Sequence, residues 1–217
     1  MLPSSSSVNR MGRSRIAAVV CLTVGAAWSV ALVSRAWVRQ KTWEEQSSIR
    51  TDIRSEEVTP NRALIMGSAD ATTKIVMFGD YECPPCARAW ASVKDAAQKH
   101  PKSFAVYFFH FPLTLMHPFA LQSALVAEQA RDFGKYVPVH EALYSTHLDK
   151  QSLDGILNKF RLRPLPPQED QASRDRVKTD IALGTKIGVD ATPTLLVVDR
   201  NSQVFELNSY LALRTWE

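Results

Sequence analysis

The sequence predicts an α/β domain built from a strand–helix–strand unit, a block of helices and a closing hairpin. Three observations predict it. Residues 74–78, KIVMF, form a short apolar run after a polar turn, as a buried strand requires. Residues 84–100 then carry Trp90, Val93 and Ala97 on one helical face, and Pro101 stops the pattern. Residues 104–109, FAVYFF, are aromatic and β-branched, the composition of a second buried strand. A strand, a helix and a strand in that order imply a parallel pair joined by a crossover helix.

The remaining elements follow from the same signals. Residues 117–133 and 135–148 read as helices divided by Gly134, and 153–160 as a shorter one. The proline-rich stretch 161–167 is a stiff connection. Residues 170–187 form another helix, with Gly188 after it. Residues 194–198, TLLVV, are a strand, DRNS is a turn, and 203–207 is its hairpin partner. The tail from Ser209 has the length of a short helix. No internal repeat and no glycine-rich phosphate loop is present, and low complexity is confined to the first 15 residues.

Net charge separates the chain into two parts. The 217 residues carry a formal charge of +4. Residues 1–41 hold six basic side chains and no acid, which leaves 20 basic against 22 acidic residues in the rest. The folded part therefore lacks the basic balance expected of a nucleic-acid binder. Residues 1–15 read as a disordered basic lead. Residues 16–33 form an uncharged apolar run of 18 residues, and 16–38 is expected to be either an uncleaved membrane anchor or a cleaved signal segment. Either delivers the domain outside the cytoplasm if the N-terminus stays inside. Residues 39–61 are expected to be a linker, and the domain to occupy 62–217. Cys21 sits inside the apolar run and reads as a small apolar residue.

Cys83 and Cys86 are thus the thiols of the folded part. They bracket two prolines in GDYECPPCAR, where strand gives way to helix. Proline in a first helical turn costs little, because its missing N–H would have had no intrahelical partner. The residue before a proline is pushed to extended backbone, as an N-cap requires. Cys83 is expected at the N-cap, with Pro84 and Pro85 as the first helical residues and Cys86 one turn on. The positive end of the helix favours a thiolate, the reactive form of cysteine. Asp80 and Glu82 oppose it, and the prolines remove two possible donors. Cys83 is expected to ionise below the range of a free thiol without being extreme. Cys83 is then the outer nucleophile and Cys86 the buried resolving thiol. A structural disulfide or half of a zinc site are the plainer readings. Zinc normally takes four ligands, and no second cysteine pair exists; His110 and His117 have no ligand-like spacing, so no metal site is expected. His100, His140 and His147 read as surface or packing residues.

The segment VMFGDYECPPCARAW resembles the active-site segment of the DsbA-like branch of the thioredoxin superfamily. HFPLTLMHPFALQSALVAEQARDFGKYVPVHEALY resembles that branch's stretch after its second strand, and IGVDATPTLLVV the segment with its cis-proline. The resemblance covers about residues 62–207. It implies a thioredoxin fold, a central mixed sheet flanked by helices, with a helical insertion. It implies that Cys83 attacks and Cys86 resolves, that Pro193 is cis against the thiol pair, and that Thr192 contacts bound substrate. Asp80 matches an acidic position before the motif, where it is either a proton acceptor for Cys86 or a turn-capping residue. Strongly oxidising members carry a histidine between the cysteines; here both positions are proline, which points away from a strong oxidant.

The function expected is thiol–disulfide exchange with cysteines of extracytoplasmic proteins, at the outer face of a bacterial cytoplasmic membrane or in the periplasm. A membrane redox partner would reset the site, and the dithiol itself would be the redox centre, with no bound cofactor. The rivals are a copper or zinc delivery protein using the same cysteines, and an interaction module with a merely structural disulfide.

Overall fold

The structure is a computed structural model and describes residues 47–163 and 170–215. The lead 1–15, the anchor or signal segment 16–38, residues 39–46 of the linker and 164–167 of the proline-rich connection lie outside the described residues. Among the described residues no helix is long and apolar enough to cross a membrane.

The expected strand–helix–strand unit is formed by β3 (Thr73–Gly79), α2 (Pro84–Lys99) and β4 (Phe104–His110). β3 and β4 are parallel and in register from Thr73–Phe104 to Gly79–His110. They precede α3 (Ala120–Asp132), α4 (Tyr136–Tyr144), α5 (Lys150–Lys159) and α6 (Gln171–Lys186). The hairpin of β5 (Thr194–Val198) and β6 (Val204–Leu207) closes the sheet, with β5 antiparallel to β3. A 3₁₀ turn, Tyr210–Thr215, stands where a short helix was expected.

Two further strands lie at the edges. β1 (Ser47–Ile49) pairs antiparallel with β6, and β2 (Leu64–Met66) pairs antiparallel with β4 across an irregularity. The sheet order is β1-β6-β5-β3-β4-β2. The linker expected over 39–61 therefore gives way to folded chain by Ser47. A short helix, α1 (Ser55–Val58), follows β1, and Ile53 and Val58 are buried in the main core. Edge strands of three residues, Ser-Ser-Ile and Leu-Ile-Met, are too short to show alternation; tertiary pairing decides them.

Both faces of the central strands are buried, which explains their unbroken apolar runs. Val76, Phe78, Tyr107, Phe109, Leu196 and Val198 share one face with Ile187 and Val189 from beyond α6. Phe108, on the other face, meets Tyr81, His140 and Tyr144. The ends of α3 and α6 are set by glycine. Gly134 and Gly188 adopt positive φ, +66° and +81°. The next residues, Lys135 and Val189, each donate back to a carbonyl five residues earlier, at 2.8 Å. Glycine takes that left-handed backbone without a Cβ penalty. α3 starts at Ala120 instead of the expected His117, because Leu113–Phe119 first make a separate turn.

Candidate active site

The thiol pair sits where β3 hands over to α2. The Asp80 carbonyl accepts the Cys83 N–H at 3.2 Å, and Cys83 takes the N-cap position with extended backbone, φ −79° and ψ 112°. Pro84 and Pro85 occupy the first helical turn, so the first amide able to face the Cys83 sulfur belongs to Cys86. The Cys86 N–H closes the turn on the Cys83 carbonyl at 2.9 Å. Both thiols are free. Cys83 is 6% exposed and Cys86 fully buried, so Cys83 is the one an incoming group reaches first.

Their acidities are driven apart. The Cys83 thiol is lowered from 9.0 to about 6. The largest cause is the hydrogen bond from the Cys86 thiol; burial works against it, and Thr192 and the Cys86 amide add to it, while the Asp80 charge opposes. Cys86 is pushed up, first by burial and then because it gives its proton to Cys83. One proton shared between two sulfurs leaves one nucleophile and one protonated thiol in reserve.

The Thr192–Pro193 peptide bond is cis and lies against the thiols. Cys83 Sγ donates to the Thr192 carbonyl at 3.2 Å, and the Thr192 hydroxyl is buried without a partner in this thiol form. Thr192 thus offers an acceptor to the thiol and keeps a donor for the thiolate.

Asp80 is buried and caps the turn: Oδ1 accepts the Glu82 N–H at 2.8 Å. Oδ2 accepts the Leu113 N–H and bonds His117 Nδ1, both at 2.8 Å. The carboxylate is occupied on both oxygens by turn, loop and imidazole. The link between His117 and Asp80 joins residues 37 apart, which no local pattern carries. His110 lies at the end of β4 and is buried beside Glu128 at 3.0 Å. His140 is buried too, with Nδ1 2.7 Å from the Tyr81 hydroxyl. Tyr81, Trp90, Phe108, His140 and Tyr144 form one aromatic cluster under the site. Gly79 is needed there, since a Cβ would stand 2.6 Å from the Tyr144 hydroxyl and 2.8 Å from the Phe108 ring. Among the described residues no three His, Cys, Asp or Glu side chains converge to hold a metal ion.

A dithiol at a helix start, with one thiol acidic and one not, can exchange disulfides through a mixed disulfide. Solved structures share the fold. Proteus mirabilis ScsC in a transitional conformation superposes with a TM-score of 0.62, 19% identical, covering 95% of each chain. A thioredoxin-like oxidoreductase from Silicibacter pomeroyi gives 0.61 at 22% identity, over 73% of this chain and 92% of its own. Pseudomonas aeruginosa DsbA2 gives 0.54 at 21% identity, over 72% and 94%. Among curated proteins, the Na(+)/H(+) antiporter NhaA 3 of Salinispora tropica is 29% identical over 153 residues, 66% of this chain. The antiporter NhaA of Herminiimonas arsenicoxydans is 26% identical over 168 residues, 75% of this chain. The chain spans 22% and 27% of those two proteins, so the likeness concerns a part of each. A thioredoxin family model matches residues 59–213, and the chain belongs to the thioredoxin family, whose DsbA-like members its fold resembles.

Proposed function

We propose that the protein is an extracytoplasmic thiol–disulfide oxidoreductase that exchanges disulfides with cysteines of substrate proteins through Cys83 and Cys86. One observation carries this reading: an acidic, outward thiol and a buried, protonated one share a helix start against the Thr192–Pro193 loop. In the reducing direction the Cys83 thiolate attacks a substrate disulfide, forming one S–S bond as another breaks. The substrate's leaving thiolate takes up a proton. Cys86 then loses its proton and attacks Cys83, releasing the second substrate thiol and leaving the enzyme disulfide. Two electrons pass from the dithiol to the substrate. The oxidising direction is the reverse. Thr192 and Pro193 would line the bound substrate chain, and the dithiol would be the redox centre without a further cofactor.

An extracytoplasmic site is supported by the apolar, arginine-flanked run 16–33 and by a structural neighbour described as a periplasmic thioredoxin-like protein from Salmonella enterica, TM-score 0.57. A membrane redox partner that resets the thiols belongs to the same reading. Leu115 and Met116, exposed on the loop bonded to Asp80, would offer apolar surface to an unfolded chain. Zinc delivery would require ligands beyond the two cysteines.

The test is trapping. Cys86→Ala is expected to accumulate a mixed disulfide with glutathione at Cys83, Cys83→Ala to form none, and the native protein to pass through it to the intramolecular disulfide. A native pair that exchanges nothing with glutathione, or whose loss unfolds the domain, would retire the enzyme in favour of a structural bridge.

A further inference from the structure

Prolines at 84 and 85 carry no charge, so any cation beside the Cys83 thiolate has to come from outside the thiol turn. The loop between β4 and α3 brings one. It is fastened to that turn at three points: Leu113 N–H to Asp80 Oδ2 at 2.8 Å, His117 Nδ1 to Asp80 Oδ2 at 2.8 Å, and Phe119 N–H to Glu82 Oε2 at 2.5 Å. Asp80 is the joint. Its side chain holds the imidazole, and its main-chain carbonyl accepts the Cys83 N–H. A carboxylate only accepts hydrogen bonds, so Nδ1 carries the proton toward Asp80 and the outer nitrogen, Nε2, is left to titrate. The His117 side chain is 21% exposed, against 0% for Asp80, so that nitrogen has access to solvent protons.

We propose that His117 is a positioning residue for thiol exchange, an imidazolium anchored by Asp80 that balances the charge of the Cys83 thiolate. The role rests on the exchange reading above. Unprotonated, His117 leaves Asp80 and Glu82 as uncompensated negative charges beside Cys83; protonated, it offsets them. The titratable groups around it are Asp80, Glu82 and Cys83 on the turn, with Cys86 of α2 and Tyr144 of α4 facing the same acidic cluster. The loop from Phe111 to Phe119 contributes no other ionisable side chain. His117 itself is held above its ordinary 6.5: burial opposes its charge, and the Asp80 hydrogen bond with the charges of Asp80, Cys83 and Glu82 overcomes that. Cys83 is meanwhile drawn down to about 6, so the two shifts together favour an anion beside a cation. The thiol pair thereby becomes sensitive to pH through a side chain that never bonds to sulfur.

Coupling between two titrating groups is reciprocal. The His117 ring is followed by NMR against pH in the full chain, in the reduced protein, the oxidised protein and Cys83→Ser. Its midpoint is expected to drop by roughly half to one unit when the Cys83 thiolate is removed by either route. In His117→Gln the Cys83 thiolate absorbance at 240 nm is expected to shift up by the same amount, and His117→Lys to restore it. A His117 midpoint indifferent to Cys83, measured without touching the loop, overturns the proposal even if His117→Gln misfolds. Disulfide exchange with glutathione is measured on the same native sample. Coupled titration with no exchange retires the enzyme reading and this role with it; exchange without coupling retires this role alone.

Discussion

Cys83 Sγ donates its hydrogen to the backbone carbonyl of Thr192 across 3.2 Å, joining residues 109 apart in sequence. That contact serves the thiol. The thiolate needs donors instead, and the Thr192 hydroxyl, buried with no partner, is the side chain's means of supplying one. Both thiols are accordingly drawn down by Thr192. Thr192→Val keeps the shape and the carbonyl and deletes the donor. The Cys83 midpoint is expected to rise by roughly one unit, with Thr192→Ser close to the native value. An unchanged midpoint in Thr192→Val, read from thiolate absorbance, would assign the lowered midpoint to Cys86 and the helix start alone.

The separated acidities set how the reduction potential responds to pH. Below pH 6, reduction adds two electrons and two protons, because both thiols are protonated. Above pH 6, Cys83 stays ionised and one proton is taken up. For a two-electron couple each proton contributes about 30 mV per pH unit. The potential of the Cys83–Cys86 pair is therefore expected to fall by about 60 mV per unit below pH 6 and about 30 mV per unit above it. Equilibration with glutathione or dithiothreitol buffers from pH 5 to 8 reads this directly. A single slope of about 60 mV throughout would mean that Cys83 remains protonated to pH 8.

Stability of the reduced protein follows from the same shifts. Cys83 is lowered from 9.0 to about 6, so its contribution is full above pH 9 and is lost as pH falls through 6. Cys86 is raised, so its contribution is full below pH 9 and declines as pH climbs beyond that. The oxidised protein has neither thiol. Urea unfolding with and without reductant is expected to show the reduced form gaining on the oxidised from pH 6 to 9 and losing ground above. A flat difference between pH 6 and 8 would contradict the Cys83 shift.

The central fold was legible because its signals are local. KIVMF and FAVYFF are buried on both faces, and Cys83, Pro84 and Pro85 mark the start of α2 through constraints that each residue imposes on its neighbour. The cis bond at Thr192–Pro193 followed from the family resemblance, since an isolated Thr-Pro pair favours trans. What escaped was long-range. Nothing in Ser47–Ile49 announces that it will pair with β6, and the chain from residue 47 to 61 reads as a linker until Ile53 and Val58 find the core. The partners of Asp80 were equally hidden. His117 approaches it through a turn closed by the Met116 and His117 N–H groups on the Leu113 carbonyl, and the spacing of histidines 110 and 140 does not reveal the partners that burial gives them.

Glu128 shows how such a hidden polar group holds the helical insertion to the sheet. It is 2% exposed on α3. His110 Nε2 of β4 reaches it at 3.0 Å, Arg131 clasps both of its oxygens, and Arg176 of α6 pairs with it at 2.6 Å. Burial alone would push its carboxyl up, but His110 and Arg131 outweigh that and hold it well below the usual carboxylate range. Its stabilisation is therefore complete above pH 4.5 and lost as pH falls further. Glu128→Gln preserves volume while leaving two arginines without their shared carboxylate, the kind of change that costs about 3 kcal/mol. Urea unfolding at pH 7 is expected to show that loss with an unchanged m-value, and the native and variant curves to converge as pH falls below 4.5, where the unfolded carboxyl takes up a proton that the folded one does not. Thiolate absorbance of Cys83 is expected to stay in place, since Glu128 bonds to β4 and α6 and not to the thiol turn. A variant within about 0.5 kcal/mol of native would show that water or a rearranged Arg176–Asp132 pair, 2.9 Å apart, satisfies the arginines unaided.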